Sequence, residues 1–175
     1  MKTILKLKDN EFPFTYIDHT RKVARAILIN EKGQIALNKL HGHDAFGSRN
    51  YYETPGGGFK KYETAKEAVL REIKEETGYM AEIISPIGIV DDYYNLIHRH
   101  NKNFYFLCKT SLFVGKKLDE YEKNMIEKLV WMDIDTAIEV MKNMDVSPVS
   151  RLVINRELPI LSKAKELIYE YIINK

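Results

Sequence analysis

The 175-residue sequence has one cysteine, Cys108, so an internal disulfide is excluded and the chain suits a reducing compartment. That cysteine closes the run Phe104-Tyr105-Phe106-Leu107-Cys108, which reads as a buried strand with an inert core thiol. No stretch approaches the ~18 consecutive apolar residues that a membrane-crossing helix requires. The opening residues, Met1 to Lys8, lack the apolar run of a secretory signal. An excess of one charge is missing too: 27 basic residues stand against 25 acidic, a net charge of +2. Like charges form no long block, so nothing argues for a nucleic-acid or membrane partner. Repeats and low-complexity linkers are absent. These absences leave a cytoplasmic protein whose partner is a small molecule.

What is present is a globular composition, 45% hydrophobic and 30% charged. The length suits one domain over residues 1–175 with a substantial core. Val23–Asn30 and Gln34–Asn38 flank the turn Glu31-Lys32-Gly33 and read as a hairpin. Tyr51–Thr54 is a short strand feeding Pro55 and three glycines. Ala81–Ile84, Ile87–Val90, Phe104–Val114 and Leu129–Met132 read as further strands. Asp135 and Thr136 are placed to cap a helix through Met141. Pro148–Arg156 and Pro159–Ile173 read as two more helices, each with proline in its first turn. In the second, Ile160, Leu161, Ala164, Leu167, Ile168 and Tyr171 recur at helical spacing, a face for the core or for a homodimer.

The densest information lies between Gly56 and Tyr79. Thr64 with Glu67 three residues later is a capping-box signature, and Gly78 supplies a left-handed stop, so the sequence predicts a helix over Ala65–Thr77. At ~100° per residue, Val69 and Ile73 share its apolar side, and Glu72 and Glu76 point within roughly 20° of Ala65 on that same side. Glu75 flanks them. An ordinary charged helix face accounts for Glu67 and Arg71, which can form i,i+4 pairs. It does not account for carboxylates aimed inward, which cost several kcal/mol each unless compensated. A hard divalent cation compensates them, because Mg²⁺ takes oxygen ligands and retains water and phosphate oxygens.

Written out, the segment is G-x5-E-x7-R-E-I-K-E-E-T-G-Y, from Gly57 to Tyr79. A chance match of its fixed positions at a given start is on the order of one in a hundred million. The segment resembles the Nudix box, and the chain is similar to the Nudix hydrolases, which split a pyrophosphate bond in a nucleoside diphosphate linked to another group. Tyr79 stands where the family prefers an aliphatic residue and is read as a packing residue. The resemblance implies an α/β/α sandwich with a mixed sheet and the box loop-helix over residues 20–140, with a C-terminal helical extension over 145–175. It implies Mg²⁺ or Mn²⁺ held by Glu72, Glu75 and Glu76 with the backbone carbonyl of Gly56. It assigns Glu63 a structural role and makes Arg71 the residue that orients the carboxylates.

The box leaves three matters open. The general base is a box glutamate or one of Glu120, Glu122 and Glu127, which precede the Leu129–Met132 strand. Substrate contacts fall to Arg25, with Arg21, Lys39 and Arg49 as further cations, and to Tyr93, whose ring can stack on a base. The substrate is a nucleoside triphosphate or a nucleotide joined to a sugar or second nucleotide. Where many ADP-ribose hydrolases of the family carry proline, this chain has a position near Asn95, and the coenzyme A signature is missing from Leu37 to Glu53. His41, His43, His98 and His100 form i,i+2 pairs without a third ligand in register, so they are read as solvated. The competing class is a non-catalytic Nudix-fold nucleotide-binding or regulatory module. Intact Glu72, Glu75, Glu76 and Arg71 argue against it.

Overall fold

The structure, a computed structural model, describes residues 1–173. Its strands are β1 (Thr3–Leu7), β2 (His19–Ile29), β3 (Ile35–Leu40), β4 (His43–Asp44), β5 (Gly47–Ser48), β6 (Tyr51–Glu53), β7 (Gly56–Gly58), β8 (Tyr79–Tyr94), β9 (Arg99–Phe113) and β10 (Ile126–Met132). Its α-helices are α1 (Ala65–Thr77), α2 (Glu120–Met125), α3 (Ile134–Asn143) and α4 (Pro148–Ile173). An eight-stranded mixed sheet runs β1-β8-β9-β2-β3-β10, with β6 paired to β3 and β7 to β2. Helices cover both faces, as the sequence led us to expect.

Strand β2 explains the layering. Ala24, Ala26 and Leu28 pack with Ala68, Val69 and Ile73 of α1 in one cluster, together with Phe106 and Cys108 of β9. The alternate residues Ile27 and Ile29 belong to the other cluster, with Ala137, Met141, Leu152, Val153 and Ile160 of α3 and α4. A strand buried on both faces reads as a nearly continuous apolar run, and Val23–Ile29 is one, broken by Arg25. Cys108 is fully buried among these residues, and burial pushes its thiol up to about 12.

The hairpin is only partly realised. β2 and β3 meet at one pair, Ile29 and Ile35, beside the turn. Beyond it they part: β2 runs parallel to β9 from His19 to Ile29, and β3 pairs with β10. The space between them takes β6 and β7. Local turn chemistry therefore set the reversal, while long-range pairing set the ladder. This split positions the candidate site.

The C-terminal stretches form one helix, with Pro159 inside it. A mid-helix proline costs about 3 kcal/mol. Val149, Leu152 and Val153 before it, and Ile160, Leu161, Ala164 and Ile168 after it, are all buried in the same cluster. Burying several such side chains at ~1.5–3 kcal/mol each outweighs that cost. The helical face read for the core or a dimer thus packs within the chain. Helix α3 is preceded by Asp133 as its N-cap residue, two residues before the Asp135 of the expected cap. Strands β8 and β9 are longer than the sequence suggested, so Asp91–Tyr94 and His100 lie in a ladder instead of loops. At the other edge, β1 runs parallel to β8, joining the N-terminal residues to the sheet.

Candidate active site

Helix α1 has the bounds its caps predict. Thr64 and Glu67 make a reciprocal capping box, and Gly78 closes the helix at φ 81°. Tyr79 follows as a packing residue, edge-on to Phe113 and Trp131. Within the helix, Glu72 is 4% exposed and Glu76 6% exposed, so both carboxylates do point inward.

Glu76 reaches into the split between β2 and β3. Its Oε2 accepts from the backbone N–H of Gly56 at 2.9 Å and from Asn38 Nδ2 at 2.9 Å. Among the described residues it forms no ion pair, although the charge of Lys116 acts on it. Burial, reinforced by the Glu72 charge, raises its pKa well above the usual carboxylate range. Glu72 is also raised, by burial, with Arg71 working against the shift.

Arg71 ties the other acids together. Its guanidinium donates to Glu63 at 2.7 and 2.9 Å, to Glu72 at 2.6 Å, to Glu75 at 2.8 Å and to the Gly58 carbonyl at 2.9 Å. The hydrogen bond from Arg71 holds Glu63 down at about 2. Burial works to raise Glu75, but Arg71 and Lys60 outweigh it and lower its pKa. Glu75 is half-buried and also pairs with Lys60 at 3.1 Å. Arg71 lies off the inward side of the helix yet reaches the carboxylates through its long side chain.

The glycines fit this arrangement closely. Gly56 has φ 151°, and a Cβ there would lie 2.2 Å from the Ala24 carbonyl oxygen. A Cβ on Gly57 would lie 2.5 Å from Glu72 Oε1. Backbone and carboxylate therefore approach at a distance only glycine permits.

Of the three downstream glutamates, the structure brings one to the site. Single oxygens of Glu72, Glu76 and Glu122 all lie within 4.8 Å of one another. Glu122 sits in α2, where it completes a capping box with Asp119, and burial raises its pKa. The pattern Asp119-x-x-Glu122 could have located this helix in the sequence. Glu120 pairs with Lys123 and Glu127 with Lys128, both outside the cluster. Glu75 is likewise outside this closest triad.

The cluster lines a cavity of about 830 Å³. Its donors are hard oxygens, and Asn38 Oδ1, on the amide that donates to Glu76, is buried without a hydrogen-bond partner. Converging carboxylates with one neutral amide oxygen fit Mg²⁺ or Mn²⁺ and not a soft metal.

The opposite wall belongs to a buried ionic network. Arg25 ion-pairs with Glu53 at 2.6 Å and donates to Asn103 Oδ1 at 3.1 Å. Arg156 of α4 pairs with Glu53, Glu157 and Asp92. Glu157, fully buried, accepts from Thr54 Oγ1 at 2.9 Å and from the Tyr105 hydroxyl at 3.0 Å. Burial opposes ionisation of Glu53, but Arg25 and Arg156 outweigh it and hold it at about 2. Arg25 thus lines the cavity with its guanidinium engaged by the protein. Tyr93 is not among the lining residues, since its ring stacks on His100 at 4.7 Å. The ring nitrogen of His100 lies 3.0 Å from Asp91, which corrects its reading as a solvated residue. Arg156, Glu157 and Arg99 went unnoticed in the sequence because nothing in their local spacing marks them.

Helix, glycine strand and inward acids together define one class. A NUDIX domain profile matches residues 19–153, and the chain belongs to that family. A 72-residue segment is 32% identical to a Caenorhabditis elegans nudix hydrolase relative, covering 41% of this chain and 20% of the relative. Another segment of 62 residues is 39% identical to the RNA pyrophosphohydrolase of Marinomonas sp. (strain MWYL1), covering 35% of each. The chain thus spans about a third or less of the length of these curated relatives. Among solved structures, the NUDIX hydrolase from Nitrosomonas europaea shares the fold at a TM-score of 0.60 and 20% identity, over 78% of this chain and 87% of that one.

Proposed function

We propose that the protein is a Mg²⁺- or Mn²⁺-dependent hydrolase of a pyrophosphate bond in a nucleotide, as one domain operating in a reducing, cytoplasmic setting. The observation that carries this reading is the convergence of Glu72, Glu76 and Glu122 within 4.8 Å, with Glu76 in no ion pair among the described residues. The names of the relatives, a nudix hydrolase and an RNA pyrophosphohydrolase, support the same chemistry. A divalent ion there would supply charge neutralisation for the diphosphate and activate a water.

The residues have separable tasks in this reading. Glu72, Glu76 and Glu122 hold the ion, with Glu75 and the Gly56 carbonyl as further oxygens at the edge of the site. Arg71 positions Glu72 and Glu75 through its hydrogen bonds. Glu122, whose ionised carboxylate burial makes more basic, is also the candidate to receive a proton from the attacking water. Water adds across P–O–P, one bridging bond breaks, and two phosphate-bearing products form. Arg25 acts by bracing the wall, and Tyr93 lies outside the cavity.

The test is a panel of nucleoside triphosphates, nucleotide sugars and dinucleotides with Mg²⁺ and Mn²⁺, reading phosphate against pyrophosphate release. Metal-dependent turnover supports the proposal. Tight binding of one nucleotide with no turnover of any would favour the regulatory-module reading instead.

A further inference from the structure

The cavity has a cationic end whose two arginines form no ion pair among the described residues, although Glu72 and Glu53 act on Arg21, and Asp92 on Arg99, through their charge. Six arginines line it, and four of them, Arg25, Arg49, Arg71 and Arg156, each hold a carboxylate. Arg21 and Arg99 do not. Among the described residues neither guanidinium has an ion pair or hydrogen bond with the protein, and Arg99 Nε is buried without a partner. Arg99 lies over the Tyr94 ring at 5.7 Å, a contact that leaves its N–H groups unspent.

The two are neighbours. In the parallel β2–β9 ladder His19 pairs with Arg99 and Arg21 with Asn101, so both arginines project from the same face two positions apart. Burial and the like charge of Arg21 both lower the pKa of Arg99. Arg21 is exposed and Arg99 half-buried, so two like charges side by side, neither in an ion pair, favour an anion between them. Their end of the cavity also adjoins the acids. A Cβ on Gly58 would lie 2.8 Å from Arg21 Nε, while one on the adjacent Gly57 would lie 2.5 Å from Glu72 Oε1.

We infer that Arg21 and Arg99 form an anion subsite for a phosphate beyond the scissile pyrophosphate, which makes the substrate a chain of three or more phosphates. This rests on the hydrolase reading of the same cavity. Guanidinium groups recognise phosphate oxygens through charge-assisted, often bidentate hydrogen bonds. A nucleotide sugar would present neutral hydroxyls there and leave both guanidinium groups without an ion pair. A triphosphate places its extra charge beside them.

Calorimetric titration of the full chain with inorganic tripolyphosphate and with pyrophosphate, both with Mg²⁺, tests the subsite without a nucleobase. The wild type should bind tripolyphosphate at least ~10-fold more tightly, the gain of one good charged contact. R21A/R99A should abolish that preference, weakening tripolyphosphate binding by more than pyrophosphate binding. R21Q/R99Q, which keeps side-chain bulk and removes charge, should do the same and guards against misfolding. Equal affinities in the wild type, a preference that survives in both variants, or an equal loss for both ligands would overturn the inference. If the preference holds and the nucleotide panel shows no turnover, the subsite stands and the hydrolase reading falls.

Discussion

Glu76 Oε2 lies 2.9 Å from the backbone nitrogen of Gly56, binding the box helix to the glycine strand twenty positions earlier. Strand β7 is itself held to β2, where Arg25 pairs with Gly56. The helix thus reaches the split in the sheet from one face, while Glu157 of α4 reaches it from the other through Thr54. Glu76 is thereby fixed to strand backbone, while Glu72 is held by the Arg71 guanidinium.

Glu76→Gln should lower turnover by at least ~100-fold, since it removes a charged ligand from the ion that carries the electrostatic stabilisation. Steady-state kinetics on the best nucleotide of the panel, with circular dichroism to verify the fold, provide the check. Undiminished activity would strip Glu76 of its assigned role.

The raised pKa of Glu76 has a signed consequence for stability. Its ordinary value is 4.5 and its folded value lies well above. In the interval between them the folded state binds more protons than the unfolded, so stability falls as pH rises. The metal-free protein should therefore lose Tm from about pH 5 toward pH 8, and Mg²⁺ should restore more of it at pH 8 than at pH 5. Glu53 and Glu63, each held near 2, contribute a slope of opposite sign that fades as the unfolded chain finishes ionising just above its ordinary value of 4.5. Thermal melts of wild type and E76Q settle the matter: the variant should show a shallower slope and a smaller response to Mg²⁺.

The adjacent glycines should respond differently to alanine. At Gly56 the clash is with backbone, 2.2 Å from the Ala24 carbonyl oxygen, and φ is 151°. G56A should cost at least about 2 kcal/mol in urea denaturation, from strain with no side chain able to yield. At Gly57 the clash is with the Glu72 carboxylate, which can swing aside. G57A should keep most of the stability and lose metal affinity. The reverse order would contradict the geometry.

Glu157→Ala should be severe for stability although it lies away from the acidic cluster. Fully buried Glu157 compensates Arg156, and removing one partner of a buried pair costs about 3–5 kcal/mol. A loss below about 1 kcal/mol by chemical denaturation would mean that Glu53 and Asp92 suffice for Arg156.

Much of the site was legible because it is local. Thr64, Glu67 and Gly78 announce the bounds of α1, and helical periodicity turns Glu72 and Glu76 inward. What eluded the sequence depends on distant pairing. The turn at Glu31–Gly33 forms, but β2 exchanges β3 for β9, a partner far along the chain. Pro159 resembles a helix start until the buried residues on either side of it are seen to share one core face. Glu122 stands apart from Glu120 and Glu127 only once α2 folds over the box. Arg99 is one basic residue among many in sequence, and the lack of a hydrogen-bond partner at its buried Nε is a property of three dimensions.

A divalent cation gathered by Glu72, Glu76 and Glu122 is the centre of the proposed chemistry. Anomalous difference density from crystals soaked in Mn²⁺ tests it most directly. The account predicts a peak coordinated by oxygens of all three side chains, and its absence in E76Q crystals. A wild-type map at saturating Mn²⁺ with those carboxylates apart and no peak between them would contradict it.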